Sequence, residues 1–227
     1  MILPGAKVCV FDAYGTLFDV HAPAARLRDG LGDEADRLSA VWRAKQLEYS
    51  WLRGLMGRHA DFRQVTEEAL DFAMAETGVG GPEERRRLLE LYRTLDAYPD
   101  AGPALRCLRD RGFRTAILSN GSPDMLEDAI GSAGLGGLLD EVLSVEAVGI
   151  YKPHPSVYRL ATEAFAVAPE AVCFVSSNGW DAAGAAAFGF QVAWLNRFRR
   201  PEERLPWKPQ ATIASLDELP DLLAGAS

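Results

Sequence analysis

Apolar residues in this chain gather into short runs separated by longer amphipathic stretches, and the two patterns alternate. The runs are "KVCVF" (7–11), "RTAIL" (114–118), "EVLSV" (141–145), "AVCFV" (171–175), "QVAWL" (191–195) and a weaker "ATIAS" (211–215). Runs apolar on both faces belong to parallel strands covered by helices on each side. Between most of them lie helical patterns. "PDMLEDAIGSAG" has Ser122 before it as N-cap and Pro123 at the first helical position, "HPSVYRLATEAFAV" follows, and "DAAGAAAFG" closes with Gly189. Strand, helix and strand repeated in this way predict an α/β fold built on a doubly wound parallel sheet.

The alternation is interrupted after the first strand. Residues from about 20 to 98 carry no strand signal and three helical ones. "DRLSAVWRAKQLEYSWLR" puts Leu38, Val41, Trp42, Tyr49 and Leu52 on one stripe. "DFRQVTEEALDFAMAET" puts Phe62, Val65, Ala69, Phe72 and Ala73 on another, opening with an Asp61/Gln64 pair that resembles a capping box. "PEERRRLLELYRTL" turns Leu88, Leu89, Tyr92 and Leu95 inward. An all-helical insertion of this kind predicts a cap over residues 20–98 and a core made of 1–19 and 99–227, with Pro99 and Gly102 punctuating the return.

Composition narrows the function. The 227 residues, 48% hydrophobic and 25% charged, suffice for one good core and a smaller satellite domain. With 24 Lys+Arg against 32 Asp+Glu the net charge is -8, which disfavours nucleic acid and anionic membranes as partners. An anionic substrate would need local cations. No apolar run has the length of a membrane-spanning helix, and "MILPGAKVCVFDAY" lacks the pattern of a signal peptide. Cys9, Cys107 and Cys173 cannot all pair and lack zinc-ligand spacing, so they read as small buried hydrophobes of a protein in the reducing cytoplasm.

Ligands of open parallel sheets bind outside the carboxyl ends of the strands. The polar residues that follow the runs are Asp12, Tyr14 and Thr16, then Ser119 and Asn120, then Ser176, Ser177, Asn178 and Asp181, with Lys152 in "YKPHP" just beyond the third run. Each alone is ordinary, since Asp, Ser and Asn cap helices and fill turns. Together they bring carboxylate, lysine, hydroxyl and amide groups to one edge.

The segments "FDAYGTLFDV", "VWRAKQLEYSWL", "ILSNGSPDML", "YKPHPSVY" and "FVSSNGWDAAG" resemble the motifs of the haloacid dehalogenase superfamily, and specifically of its L-2-haloacid dehalogenases. The resemblance spans nearly the whole chain and is weakest over 21–36 and after about 196. It implies hydrolysis of short L-2-haloalkanoic acids to D-2-hydroxy acids with inversion, through an ester on Asp12. It also implies a catalytic set of Asp12, Thr16, Arg43, Ser119, Lys152, Tyr158, Ser176, Asn178 and Asp181. Lys152 would hold Asp12 ionised and oriented, Ser176 and Thr16 would hydrogen-bond its oxygens, and Ser119 would grip the substrate carboxylate. Asn178 and Asp181 would position the hydrolytic water.

Arg43 shares a helix face with Gln46, Leu47 and Ser50. The resemblance makes it, with Asn120 and Trp180, a cradle for the departing halide, and it places Gln46 at the substrate site. Tyr14, Leu47, Phe62 and Trp180 would wall the substrate's alkyl group. For Phe62 and Tyr158 a plain core role stays open. The resemblance implies no metal and no cofactor, and with exposed cap aromatics it suggests a homodimer.

Phosphatases of the superfamily carry a second Asp two positions after the nucleophile, where this chain has Tyr14. An alkoxide leaves poorly without a proton, and general acid catalysis contributes about 10²–10⁴-fold. Halide needs no proton. Two other readings stay open at this point: a Mg²⁺-dependent phosphatase, and a non-catalytic partner-binding module on the same scaffold.

Overall fold

The structure, a computed structural model, describes residues 3–223. Six strands, Val8–Phe11 (β1), Arg114–Ser119 (β2), Glu141–Ser144 (β3), Val172–Ser176 (β4), Gln191–Leu195 (β5) and Ala211–Ile213 (β6), form one sheet in the order β3-β2-β1-β4-β5-β6. Every neighbouring pair is parallel. All six apolar runs therefore form strands, the last cut to three residues. β1 and β4 are buried along their whole length, as expected of central strands with helices on both faces.

Five helices separate β1 from β2 before the core resumes: Ala22–Arg26 (α1), Arg28–Leu31 (α2), Ala35–Met56 (α3), Phe62–Thr77 (α4) and Pro82–Arg93 (α5). The core adds Ala101–Asp110 (α6), Pro123–Ser132 (α7), Pro155–Phe165 (α8), Gly179–Phe188 (α9) and Leu219–Leu223 (α10). Right-handed crossovers place α8 and α9, which pack on each other, on one face of the sheet, and α6 and α10, likewise in contact, on the other. The chain leaves and re-enters the core along adjacent paths. Asp19 N donates to Asp96 O at 2.9 Å, Tyr98 N donates to Leu17 O at 2.8 Å, and Phe18 bridges Ala97 antiparallel.

α3 and α4 make the main helix pair of the insertion. Its buried stripe differs from the expected one. Leu38 and Trp42 are buried, but Val41 and Tyr49 are only partly so, and Leu52 is 43% exposed. The buried face of α3 continues instead through Ser39, whose hydroxyl meets His21 at 2.7 Å, Gln46, which donates to Thr66 at 3.0 Å, and Ser50, which donates to the Leu47 carbonyl of its own helix. The capping box at α4 is half formed: Asp61 accepts from Gln64 N at 2.8 Å, whereas the Gln64 amide turns forward to Glu68. Ser122 occupies the N-cap of α7, but its hydroxyl donates to Asp124. Cys9 and Cys173 are buried as expected, while Cys107 is partly exposed.

Candidate active site

β1 leads on to β2 on one side while its other neighbour, β4, leads on to β5 on the opposite side, so a crevice opens between the carboxyl ends of β1 and β4. Asp12 stands there. Its backbone N donates to Val175 O at 2.9 Å, which carries the β1–β4 pairing one residue past Phe11 and fixes the carboxylate at the sheet's edge. Gly15 follows at φ +88°, a left-handed conformation that favours glycine, and folds the chain so that Thr16 returns to Asp12. Thr16 Oγ1 donates to Asp12 Oδ2 at 3.1 Å and accepts from Ser177 N at 2.8 Å.

Two further groups converge on this carboxylate. Asn178 Nδ2 donates to Asp12 Oδ2 at 2.8 Å, and Lys152 Nζ donates to Oδ1 at 3.1 Å. The same ammonium donates to Asp181 Oδ2 at 2.8 Å, while Asp181 Oδ1 accepts from the Tyr158 hydroxyl at 2.8 Å. Lys152 is 1% exposed, Asp181 0% and Asp12 6%, so one cation and two anions share a nearly dry site. Charges are tolerated there only because each is paired and hydrogen-bonded.

Burial alone would lower the pKa of Lys152, but Asp12 and Asp181 outweigh it and hold the ammonium above the ordinary lysine range. Burial raises the pKa of Asp181 above the usual carboxylate value; Lys152 and the Tyr158 hydroxyl pull it back, and the charge of Asp12 pushes it up. Burial also drives the Tyr158 phenol well up, which keeps it a neutral donor. Asp12 spends its oxygens on Lys152, Thr16 and Asn178, and Asp181 its own on Lys152 and Tyr158, so neither carboxylate offers a cation an oxygen free of a protein donor. Mg²⁺ is bound through carboxylate and other oxygen ligands, so these residues fit it poorly.

The helical insertion closes the site from above. From α3, Arg43 Nη2 donates to Asn178 Oδ1 at 3.4 Å and Nη1 lies 3.5 Å from Gln46 Oε1. Trp51 Nε1 donates to the Lys152 carbonyl at 3.2 Å, and its ring meets Trp180 edge-on with centroids 5.2 Å apart. Trp180 Nε1 is buried without a partner among the described residues, as is the Tyr14 hydroxyl. The Tyr14 ring stacks on Tyr92 and packs against Phe62, each at 5.7 Å. A cleft of about 630 Å³ reaches the surface past Arg43, Leu47, Asn178 and Trp180.

Most of the expected residues meet around Asp12, but several hold positions other than those expected. Ser176 does not bond Asp12, although the β1–β4 register sets the two level; its hydroxyl accepts from Asn178 N at 3.2 Å and so serves the loop into α9. Ser119 is fully buried and accepts from Gly121 N at 3.0 Å, which shapes the loop after β2. Asn120 Oδ1 accepts from Lys152 N at 3.0 Å, tying that loop to the lysine. Gln46 is buried within the insertion, donating to Thr66 Oγ1 at 3.0 Å, and touches the site only through Arg43 and Tyr92. Phe62 is buried between Tyr14 and Tyr151, so it is core and wall at once. Tyr158 likewise packs among Phe174, Phe188 and Phe190 while its hydroxyl serves Asp181.

Sequence reasoning missed Trp51 and Thr66, and it turned Tyr92 inward without tying it to the site, since an aromatic or threonine on an amphipathic helix carries no mark of its partner. It also missed the close approaches made at two glycines. A Cβ on Gly121 would meet the Tyr14 ring at 2.7 Å, and one on Gly184 would meet the Tyr158 hydroxyl at 2.6 Å.

The sequence model of the haloacid dehalogenase-like hydrolases matches residues 6–189. The (S)-2-haloacid dehalogenase 1 of Pseudomonas sp. (strain CBS-3) is 48% identical over 96% of this chain and 96% of its own. A dehalogenase solved with an intermediate complex superposes with a TM-score of 0.95 at 44% identity, covering 97% of this chain and 98% of that one. The L-2-haloacid dehalogenase of Xanthobacter autotrophicus, solved with chloropropionic acid covalently bound, superposes with a TM-score of 0.90 at 39% identity, covering 98% and 100%.

Proposed function

The chain belongs to the haloacid dehalogenase-like hydrolases, and on that premise we propose that it hydrolyses short L-2-haloalkanoic acids to D-2-hydroxy acids through an ester on Asp12. The observation that carries this reading is the buried Asp12 carboxylate, held by Lys152, Asn178 and Thr16 with no proton-donating acid two residues on. A phosphate ester would need that acid; a carbon–halogen bond does not.

In the first step Asp12 displaces halide from C2 with inversion. Oδ1 accepts one hydrogen bond and Oδ2 accepts two, so Oδ1 is the freer nucleophile. Arg43, Asn120 and the unpartnered Trp180 N–H receive the halide as its charge develops. Ser119 and the backbone N–H groups beside it take the substrate carboxylate, and Tyr14, Leu47 and Phe62 flank the alkyl group.

In the second step water adds to the Asp12 carbonyl carbon, giving up its proton toward Asp181. The raised pKa of Asp181 makes it a better base than an ordinary carboxylate. The oxyanion forms on Oδ2, where Thr16 and Asn178 already donate. Collapse breaks the bond from the Asp12 carbonyl carbon to Oδ1, which departs as the hydroxyl oxygen of the product and takes the proton back from Asp181; the second water proton passes to solvent, and Asp12 is again a carboxylate. The same proposal includes a cytoplasmic setting and a homodimer. The cap aromatics expected to be exposed are buried or half-buried, and the exposed apolar residues there are Leu52, Leu55 and Met56 at the end of α3.

The test is a single turnover in oxygen-18 water with enzyme in excess over L-2-chloropropionate. Label should enter Asp12 and be absent from the first product molecule. Label going straight into the hydroxy acid would eliminate the ester.

A further inference from the structure

The turn that presents Thr16 to Asp12 is braced from outside the motif segments. Gly15 N donates to Phe18 O at 2.7 Å and Leu17 N to Ala13 O at 2.9 Å, which makes residues 13–18 one tight unit. Thr16 uses its hydroxyl on Asp12, and its backbone carbonyl accepts from Arg197 Nη2 at 3.1 Å. Arg197 lies two residues past the end of β5.

The guanidinium is itself fixed. Asp100 takes it with both oxygens, Oδ2 from Nη1 at 2.6 Å and Oδ1 from Nη2 at 2.8 Å, and the Tyr98 ring lies 4.2 Å from its carbon. Asp100 also accepts from Leu216 N at 2.9 Å and Ser215 Oγ at 3.0 Å. The two side chains are only 12% and 10% exposed. Burial would raise the Asp100 pKa, but Arg197 and the donors from Leu216 and Ser215 hold it below the usual carboxylate value. Four distant chain segments thus meet at one planar fork. A planar guanidinium fixes direction as well as charge, which a single ammonium cannot do.

We propose that Arg197, anchored by Asp100, is a positioning residue for the nucleophile: through the Thr16 carbonyl it fixes the turn that aims the Thr16 hydroxyl at Asp12. This rests on the reading of Asp12 as nucleophile. Displacing a group by about 1 Å from its attack geometry costs on the order of 10²-fold in rate.

Arg197→Lys keeps a cation beside Asp100 but gives up the second nitrogen. Its kcat for chloride release from L-2-chloropropionate should fall roughly 10- to 100-fold while KM stays within about threefold. In a Thr16→Ala background the same substitution should add almost nothing, because its route to Asp12 is already cut. Amide hydrogen exchange at residues 15–18 should quicken in Arg197→Lys, a readout independent of turnover. Chloride release by the parent tests the function, whereas the variant ratios and the exchange test the brace. An unchanged kcat with only a lowered Tm, losses that multiply in the double variant, or unaltered exchange would each overturn the proposal. If Arg197→Lys fails to fold, the paired Asp100→Asn/Arg197→Gln protein, which removes both buried charges together, is judged by the same readouts.

Discussion

Replacing Lys152 by Met tests the electrostatic core of the site most directly. The side chains are close in volume, so the change removes a charge with little loss of packing. At 3.1 and 2.8 Å, each contact with a carboxylate is worth about 5–6 kcal/mol of Coulomb attraction at an effective dielectric of 20. Most of that offsets the cost of having buried the three charges, and removing one member of a buried ion pair typically costs about 3–5 kcal/mol. Against a total stability of about 5–15 kcal/mol the variant should fold, but weakly.

Its pH dependence has a definite sign. In the parent, the raised pKa of Lys152 means that its contribution is complete below the ordinary lysine value and is lost only as pH rises through the folded value, so it is constant from pH 5 to 8. In the variant, Asp181 loses the cation that pulled its pKa back and still faces Asp12, so its folded-state value, already raised, rises further above the unfolded one. The penalty is then full above that folded value and fades as pH falls through it. Urea unfolding of both proteins between pH 5 and 8, at equal m, should show a gap of about 3–5 kcal/mol at pH 8 that narrows toward pH 5. Chloride release should drop by at least about 10³-fold, since Asp12 loses the group that orients it. A variant as stable as the parent at pH 8, or a gap that widens on acidification, would refute the reasoning.

Two further predictions follow from the neighbours of Asp181. Tyr158→Phe removes a hydrogen bond that favours the ionised carboxylate, so the pKa of Asp181 rises further and the acid limb of the kcat–pH profile moves to higher pH; a limb that stays put would separate Asp181 from the rate-limiting proton transfer. Gly184→Ala would set a methyl 2.6 Å from both the Tyr158 hydroxyl and Pro153 Cβ, so overpacking of about 1–3 kcal/mol should outweigh the helix-propensity gain of about 1 kcal/mol, and turnover should fall with Tm. Parental activity and Tm in that variant would show the contact to be yielding.

The sheet was legible because its strands are buried on both faces, and continuous apolar runs of that kind have few other uses. The helix Ala101–Asp110 was not picked out, because Gly102 near its start read, with Pro99, as punctuation of the return. The error on α3 has a different cause. Helical periodicity assumes that a buried face is apolar, whereas the inner face of α3 carries Ser39, Gln46 and Ser50, leaving Leu52 outside.

At the site, legibility followed chain distance and chemistry. Asp12, Thr16, Lys152, Asn178 and Asp181 stand just past strand ends or in motif segments, and the rule that ligands sit at those ends gathers them without any knowledge of contacts. Arg197 also stands just past a strand end, yet it passed unremarked because its partner, Asp100, lies 97 residues away and its acceptor on Thr16 is a backbone carbonyl, which sequence cannot display. Trp51 escaped for the same reason, its acceptor being the carbonyl of Lys152. Sequence thus exposes the groups proposed to touch substrate, because they gather just past the strand ends. The groups that hold them act through the main chain, whose carbonyls are the same at every position, and only the folded arrangement tells one from another.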